Sequence, residues 1–250
     1  MVNIRPVNYD DVAPTYDRRY QVNRYDGIAE CLAEFLDGAR RPDVAEVGCG
    51  TGHWLELVER SGRAGVVAGL DLSAAMLASA HEKTSALLAR GTADQLPWGE
   101  ASFDRVFCIN ALHHFARREE FLVECARVLR MGGAMLTIGL DPHSSGDSWW
   151  IYDYFPSARE ADRARYSSSA AIREALERAG FRGAETHVAQ QLPASRSFEE
   201  AEAEGLLDRH TTSQLMVIAD DEWTTGLERL RAERPILRAD LRLYATTAWR

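Results

Sequence analysis

The sequence predicts an α/β fold in which helices cover a doubly wound, mostly parallel sheet. Two observations support this prediction: short runs that are almost continuously apolar, and amphipathic helical segments that separate them. Strands of this kind are buried on both faces, because the crossover helices of a parallel sheet lie on either side of it. The chain has 250 residues, of which 46% are hydrophobic and 27% charged, and this suits one large domain with appendages.

The first forty residues are expected to contribute a helix outside the sheet. Tyr25, Ile28, Leu32 and Phe35 recur at helical spacing, and Gly38 is the predicted C-cap. Residues 1–23 are polar and aromatic and show no clear period.

Strands and helices then alternate along the chain. The predicted strands cover residues 44–47, 64–70, 86–89, 103–109 and 134–140. Ser73 is the predicted N-cap of one intervening helix, and Gly132 with Gly133 is expected to stop another before the fifth strand.

The pattern changes after Asp141. An aromatic run at 149–155 precedes a helix at 170–179, a strand at 181–192, a helical segment at 197–234 and a final strand at 240–249. The final strand alternates apolar and polar residues, so we expect it to run antiparallel to its neighbours.

Three glycines follow the first strand at alternate positions. Gly48, Gly50 and Gly52 predict a tight turn into a helix, with backbone N–H groups exposed and a ligand close to the main chain. The G-x-G-x-G spacing differs from the G-x-G-x-x-G of dinucleotide-binding proteins. A purely structural turn is the alternative.

Acidic residues follow the second and third predicted strands. Asp71 comes 19 residues after Gly52, a position from which a carboxylate can accept hydrogen bonds from ribose hydroxyls. Asp94 is placed to select an adenine amine. The alternatives are a helix-start aspartate for Asp71 and a solvated turn for Asp94.

Five motifs between about residues 43 and 140 together resemble one family. They are E-V-G-C-G-T-G from residue 46, G-L-D-L-S-A-A-M-L from 69, A-D-Q-L-P from 93, F-D-R-V from 103 with L-H-H-F from 112, and V-L-R-M-G-G from 128. In this order they resemble the class I S-adenosylmethionine-dependent methyltransferases, and more narrowly the type 11 small-molecule group. The resemblance implies a Rossmann-like seven-stranded sheet of order 3-2-1-4-5-7-6, with strand 7 antiparallel and with helical lid insertions.

The resemblance also implies the cofactor, S-adenosylmethionine, with S-adenosylhomocysteine as its product. The implied cofactor-binding residues are Tyr16, Glu46, Gly48, Cys49, Gly50, Asp71, Leu72, Met76, Asp94, Gln95, Asn110 and Ala111. Gly48 and Gly50 would lie near the methionine part, Asp71 at the ribose, and Asp94 with Gln95 beside adenine. Tyr16 would belong to an N-terminal lid.

The expected reaction is methyl transfer to an O, N or C nucleophile of a small-molecule acceptor. His113 and His114, after the fourth strand, are candidates for a general base, because a histidine pKa suits proton transfer near neutral pH. The alternative is that they pack or form structural hydrogen bonds. Tyr20, Trp149, Trp150, Tyr152 and Tyr154 are candidates for the acceptor wall, with core packing as the alternative.

Composition limits the partners. The formal net charge of −9 argues against nucleic acid, which requires a basic surface. The four cysteines lack a C-x-x-C pair, which favours free thiols, a reducing compartment and no metal site. Neither a signal peptide nor a membrane-length apolar run is recognised, so we expect a cytoplasmic monomer or homodimer.

We expect a single domain over 1–250, with a helical lid at 1–40, a cofactor-binding core at 41–140, and substrate-side insertions with sheet completion at 141–250. Two other function classes stay open at this point. One is a nicotinamide-dependent oxidoreductase, and the other is a non-catalytic S-adenosylmethionine-binding partner protein.

Overall fold

The structure is a computed structural model that describes residues 8–37 and 40–250. The strands are β1 (Val44–Val47), β2 (Val67–Asp71), β3 (Leu87–Arg90), β4 (Phe103–Ile109), β5 (Leu129–Leu140), β6 (Ser148–Trp149), β7 (Arg182–Arg196) and β8 (Leu237–Trp249). The first α-helices are α1 (Arg18–Val22), α2 (Asp26–Asp37), α3 (His53–Ser61), α4 (Ala74–His81) and α5 (Arg118–Val128). The others are α6 (Trp150–Tyr154), α7 (Pro156–Arg165), α8 (Ser169–Arg178), α9 (Phe198–Ala203), α10 (Ser213–Met216) and α11 (Asp220–Glu233). Short 3-10 helices lie at Ala13–Thr15, Leu112–His114 and Arg209–Thr211. The C-cap predicted at Gly38 lies outside the described residues.

The sheet confirms the predicted strand order. Its order is β3-β2-β1-β4-β5-β8-β6, and β7 also pairs with β8. Strands β1 to β5 are parallel, whereas β8 runs antiparallel to β5 and to β7. The predicted sixth and seventh strands are thus β7 and β8. The short β6, which comes from the aromatic run, is an additional strand paired with β8.

Several predicted boundaries are wrong for a shared reason. Strand β5 begins at Leu129 rather than 134, because the chain re-enters the sheet directly after α5 and Gly132 donates to the carbonyl of Arg250. Strands β7 and β8 extend to Arg196 and from Leu237, because their antiparallel ladder continues beyond the apolar residues. Pairing partners distant in sequence fix these ends.

The segment 197–234 is divided into three short helices and the longer α11. Gly205, at φ +73°, follows the end of α9, and the side chains of Asp208 and Thr212 cap the next two helices. These breaks allow the segment to fold back on the aromatic run. Trp150, Ile151 and Phe155 pack there in a cluster that is separate from the two cores on the faces of the sheet.

The N-terminal segment, residues 8–25, is fastened to the carboxyl edge of the sheet. Asp10 accepts hydrogen bonds from the Ser73 hydroxyl (2.5 Å) and from the backbone N–H of Ala75 (3.3 Å), at the start of α4. Asp17 accepts a hydrogen bond from the Thr51 hydroxyl (2.5 Å) and pairs with Lys83.

Two further features concern the environment of the chain. The four cysteines are free and buried. Among the helices of residues 8–37 and 40–250, none combines the length and apolarity required to cross a bilayer.

Candidate active site

A cleft of about 650 Å³ opens at the carboxyl ends of β1, β2 and β4. Its size is typical of small-molecule pockets. Of the site residues named from the sequence, those that line it are Tyr16, Gly48, Gly50, Asp71, Leu72, Met76, Asp94, Asn110, Ala111, His113 and His114. The carboxyl edge of a parallel sheet therefore brings together residues that are nearly a hundred positions apart in sequence.

The glycine turn provides space for a ligand rather than free donors. Contrary to the expectation of exposed N–H groups, those of Gly48 and Cys49 donate to the Leu70 carbonyl (2.7 and 3.0 Å), and that of Gly50 donates to Asp71 (2.8 Å). A Cβ on Gly50 would come no closer than 4.0 Å to Tyr16. The turn thus leaves room beneath Tyr16 for a flat or extended group.

Glycine is required at position 48 because Ala111 occupies the space where a Cβ would lie. Its φ is +79°, and a Cβ there would stand 2.4 Å from the Cβ of Ala111. Asn110, just before Ala111, has a positive φ of +51°. Strained backbone of this kind is concentrated at functional sites.

Asp71 is held in place by the turn itself. Its Oδ2 accepts the N–H of Gly50, and its Oδ1 accepts that of Ser73 at 2.9 Å. Burial raises the pKa of Asp71, while these N–H groups oppose the shift. An ionised carboxylate accepts about four hydrogen bonds, so each oxygen retains acceptor capacity for a pair of hydroxyls.

Asp94 lies at the other end of the cleft with Arg117. Arg117 donates to its carboxylate at 3.0 Å. A hydrogen bond from the Thr92 side chain is the main cause that lowers the pKa of Asp94, so the carboxylate is ionised. Gln95, predicted beside it, is exposed and does not line the cleft.

Glu46 and Cys49 lie beneath the turn rather than on the lining of the cleft. Both are buried, because they point into the sheet and its covering helices. Burial, and then the charge of Asp71, raise the pKa of Glu46. Its Oε2 has no hydrogen-bond partner within residues 8–37 and 40–250.

The two histidines make specific hydrogen bonds. Nε2 of His114 lies 2.5 Å from the Tyr9 hydroxyl, and Nε2 of His113 lies 3.0 Å from that of Tyr166. Gln214 donates to the same Tyr166 hydroxyl at 3.1 Å, which leaves the Tyr166 proton for His113. Burial is the main cause that lowers the pKa of both histidines, to about 3 for His114, so both rings are neutral.

A second cavity, of about 280 Å³, adjoins the cleft. Four residues line both: Tyr9, Tyr16, Asn110 and His113. The second cavity extends from this shared wall towards the inner faces of β5, β7 and β8, where its side chains are mostly apolar. It includes Trp149 and Trp150, two of the candidates for an acceptor wall.

The other predicted wall residues lie elsewhere. Tyr20 stacks on His53 with ring centroids 3.6 Å apart. Tyr152 donates to Asp162 (2.7 Å), and Tyr154 donates to Glu233 (2.6 Å). None of these tyrosines lines either cavity. For Tyr152 and Tyr154, helical geometry explains this, because neighbours along α6 point in different directions.

Sequence reasoning did not name several polar residues of the two cavities, among them Tyr9, Arg19, Arg165, Tyr166 and Gln214. They come from the N-terminal segment, from the end of α7 and from α10, and only the tertiary fold brings them together. The single sequence signal is the polar and aromatic composition of residues 8–25.

Comparisons with known proteins agree with this geometry. Residues 45–137 match the family model described as a methyltransferase domain. The fatty-acid O-methyltransferase of Mycolicibacterium smegmatis is 31% identical over 134 residues, which cover 52% of this chain and 47% of that protein. The malonyl-(acyl-carrier protein) O-methyltransferase 1 of Coxiella burnetii is 35% identical over 133 residues, 52% of this chain and 45% of that protein. The chain thus spans about half the length of the curated relatives it matches.

Solved structures share the fold over most of the chain. One, assigned as a methyltransferase of an antibiotic biosynthesis pathway in Anabaena variabilis, superposes with a TM-score of 0.68 at 22% identity, covering 88% of this chain and 96% of that one. An S-adenosylmethionine-dependent methyltransferase from Thermotoga maritima gives a TM-score of 0.62 at 16% identity and covers 96% and 97%. Residues 45–137 therefore match a methyltransferase domain, and the chain as a whole shares the fold of solved methyltransferase structures.

Proposed function

We propose that this protein transfers a methyl group from S-adenosylmethionine to an O, N or C nucleophile of a small-molecule acceptor. The observation that carries the proposal is the pair of adjoining cavities with a shared wall of Tyr9, Tyr16, Asn110 and His113. The cleft at the glycine turn suits the cofactor, and the second cavity suits the acceptor. The shared wall is where a methyl donor and an acceptor would meet.

The residues of the cleft fit the cofactor. Gly48 and Gly50 would lie against its methionine part, and Asp71 has acceptor capacity for the ribose hydroxyls. Asp94 would accept from the adenine amine, with Leu72 and Met76 supplying apolar contacts. When bound, the cofactor supplies an electrophilic methyl group on a sulfonium.

The buried residues Glu46 and Cys49 would support the turn from below. Gln95, which the resemblance placed beside adenine, and Tyr20, a candidate for the acceptor wall, line neither cavity, so we propose no direct contact for them.

The protein then contributes orientation and exclusion of water, which can supply most of the acceleration of an in-line methyl transfer. The hydrogen bonds of His113 and His114 support a positioning role rather than a general-base role. Each Nε2 already faces a tyrosine hydroxyl.

The relatives support a small-molecule acceptor. Their printed activities are O-methylation of fatty acids, of malonyl-acyl-carrier protein, and methylation of phthiotriol or phenolphthiotriol dimycocerosates. The net charge of −9 agrees with an acceptor other than nucleic acid.

We further propose the division of labour expected from the sequence, with a lid at 1–40, a cofactor core at 41–140 and a substrate side at 141–250. The described part of the lid is fastened over the cleft through Asp10 and Asp17. Four free cysteines agree with a reducing, cytoplasmic location.

Calorimetric titration with S-adenosylhomocysteine tests the cofactor assignment. Asp71→Asn removes one acceptor oxygen at nearly constant volume, and we expect the affinity to fall about tenfold or more, or roughly 1.4 kcal/mol. The control is Asp37→Asn, at an exposed carboxylate that pairs with Arg63 far from the cleft, and it should bind like the wild type.

Two results would contradict the proposal. One is equal affinity of Asp71→Asn and the wild type for S-adenosylhomocysteine. The other is thermal stabilisation by NADH but not by S-adenosylhomocysteine, which would favour the oxidoreductase alternative. Cofactor binding without methylation of any acceptor in a broad panel would favour the non-catalytic alternative.

A further inference from the structure

Within residues 8–37 and 40–250, Arg19 is a cation without an acidic partner, and it lines the second cavity next to Tyr16 of the shared wall. Its guanidinium donates to the Tyr16 hydroxyl (2.8 Å) and to the Thr211 carbonyl (3.4 Å), and it lies 4.1 Å from the centre of the Tyr16 ring. No carboxylate of the described residues pairs with it, although an arginine has five N–H donors. Its remaining exposure faces the second cavity, which it lines.

The acids on the same cavity are already engaged. Glu204 pairs with Arg196 at 3.1 Å, and Asp208 accepts the backbone N–H of His210 at 2.8 Å. Arginine charge therefore exceeds acidic charge at the end of the cavity nearest the cleft.

A second arginine adds to this positive charge from behind the histidines. Arg165, which is 9% exposed, pairs with Asp162 through Nη2 at 2.6 Å. Its Nε and Nη1 have no hydrogen-bond partner among the described residues. Unpaired donors on a buried cation are costly and call for an explanation, which an anionic ligand nearby would provide.

One wall of the second cavity is apolar, whereas residues 204–214 add mostly polar side chains to another. Away from Arg19, its walls include Leu140, Trp150, Leu237, Leu241 and Leu243. A volume of about 280 Å³ lies at the small end of the range for ligand pockets. The cavity therefore suits a short apolar body with one charged end.

The histidines beside the cavity are poorly arranged to remove a proton from an acceptor. Nε2 of His113 accepts from the Tyr166 hydroxyl, so in the neutral ring Nδ1 carries the proton and can only donate, and Nε2 of His114 is engaged with the Tyr9 hydroxyl. An acceptor that arrives already ionised requires no such base.

We propose that the acceptor is a small carboxylate with an apolar body, whose charged end is held by Arg19 and methylated on oxygen. This inference rests on the proposed methyltransferase function. In the reaction, a carboxylate oxygen forms a bond to the methyl carbon with its own electron pair. The carbon–sulfur bond breaks, and its electron pair stays on sulfur. A carboxylate and a sulfonium become a neutral methyl ester and a neutral thioether, and no proton is transferred.

Arg19 should act mainly on binding. The carboxylate loses its charge as the bond forms, so its attraction to Arg19 is stronger before the reaction than at the transition state. Such an interaction lowers KM and does not raise kcat.

Binding to the S-adenosylhomocysteine-loaded protein tests the inference without relying on turnover. The probes are matched pairs, octanoate with 1-octanol and 4-phenylbutyrate with 4-phenylbutanol, followed by tryptophan fluorescence because Trp149 and Trp150 line the cavity. We expect each carboxylate to bind at least tenfold more tightly than its alcohol. With S-adenosylmethionine, the methyl ester should form and the methyl ether should not.

The variants separate the possible roles of Arg19. Arg19→Met should weaken carboxylate binding and raise KM about tenfold without lowering kcat. Alcohol binding and cofactor affinity should stay unchanged, and Arg19→Lys should restore part of the effect. The control is Arg24→Met, at an exposed arginine of the same segment that pairs with Asp26. It should leave every readout unchanged.

Three outcomes would overturn the inference while leaving the methyltransferase function intact. They are alcohols that bind as tightly as carboxylates, carboxylates that fail to bind, and an Arg19→Met protein that loses cofactor affinity instead. The last result would assign Arg19 to the carboxylate of the cofactor. Failure of the wild type to bind S-adenosylhomocysteine would instead contradict the proposed function, because the titration begins from the loaded protein.

Discussion

At the scale of single residues, the two histidines show how burial changes chemistry. His113 and His114 face Tyr166 and Tyr9, with arginines close enough to oppose a further positive charge. Both rings are therefore held neutral, at a cost to any protonated form. This makes the stability of the protein sensitive to acid.

The pKa of His114 predicts the direction of that sensitivity. Its folded value of about 3 lies below the unfolded value of about 6.5, so the unfolded state binds the proton more readily below pH 6.5. The stabilisation is complete above pH 6.5 and is lost as the pH falls towards 3. Between pH 7 and 5, we expect the wild type to lose up to about 2 kcal/mol more unfolding free energy than His114→Asn.

Urea unfolding at both pH values measures this difference. His81→Asn, at an exposed position, is the control and should lose as much stability as the wild type. Equal losses in the wild type and in His114→Asn would refute the prediction.

Sequence alone could identify site residues whose role follows from local chain geometry. Gly48, Gly50 and Asp71 each lie at a strand end where the backbone itself forms the cleft. Arg19 and Arg165 could not be found in this way, because only packing against other segments brings each of them to a cavity.

At the scale of elements, the turn between β1 and α3 constrains Gly48 in two ways, through its backbone conformation and through the space around it. Gly48 has a positive φ and also has a neighbour in the space where a Cβ would lie. Gly62, at the end of α3, has a similar φ of +65° but nothing within 4 Å of its Cβ position. A comparison of substitutions at Gly48 and Gly62 therefore distinguishes the cost of a positive φ from the cost of a steric clash.

We expect Gly48→Ala to destabilise the protein by at least 1 kcal/mol more than Gly62→Ala. Gly62→Ala carries only the strain of a positive φ, about 1 kcal/mol, whereas Gly48→Ala must also displace Ala111. Urea unfolding measures both changes, and calorimetry should show weaker S-adenosylhomocysteine binding only for Gly48→Ala. Equal destabilisation would show that the Ala111 contact is readily relieved.

Elements were predictable where local pattern and tertiary environment agree. The helix at Asp26–Asp37 and the strand at Phe103–Ile109 follow directly from their apolar periodicity. The start of β5 does not, because Gly132 and Gly133 resemble a helix stop although they pair within the sheet. Pairing with Arg250 is a long-range contact that no local window contains.

At the scale of the whole molecule, the N-terminal segment links the two cavities. Tyr9 and Tyr16 belong to both linings, and the segment is fastened to α4 and to the glycine turn. A ligand in the cleft would contact the segment and the sheet together. Its binding should therefore reduce local opening of the segment.

Hydrogen exchange measures that opening. On addition of S-adenosylhomocysteine, we expect amide exchange in residues 8–25 to slow about tenfold or more, while exchange in α9 stays unchanged because it lies outside the cleft. Unchanged exchange in residues 8–25 would show that the segment does not close on the cofactor.

The overall topology was predictable because five motifs resemble one family in order and spacing, and that family has one sheet order. The acceptor side was not, since α6 to α11 fold around an aromatic cluster whose members meet only in the tertiary structure. The apolar character of the aromatic run was visible in the sequence, but which rings face a cavity was not.

The four buried thiols can report local opening of the fold, because a reagent reaches each of them only when the structure around it opens. Cys108 and Cys125 are fully inaccessible, and burial raises the pKa of each, so alkylating reagents find no reactive thiolate in the native protein. Cys49 lies in the glycine turn and Cys31 in α2, so the set samples the turn as well as the packed layers. The rate of alkylation at each position then measures how often that part of the molecule opens, without an introduced label.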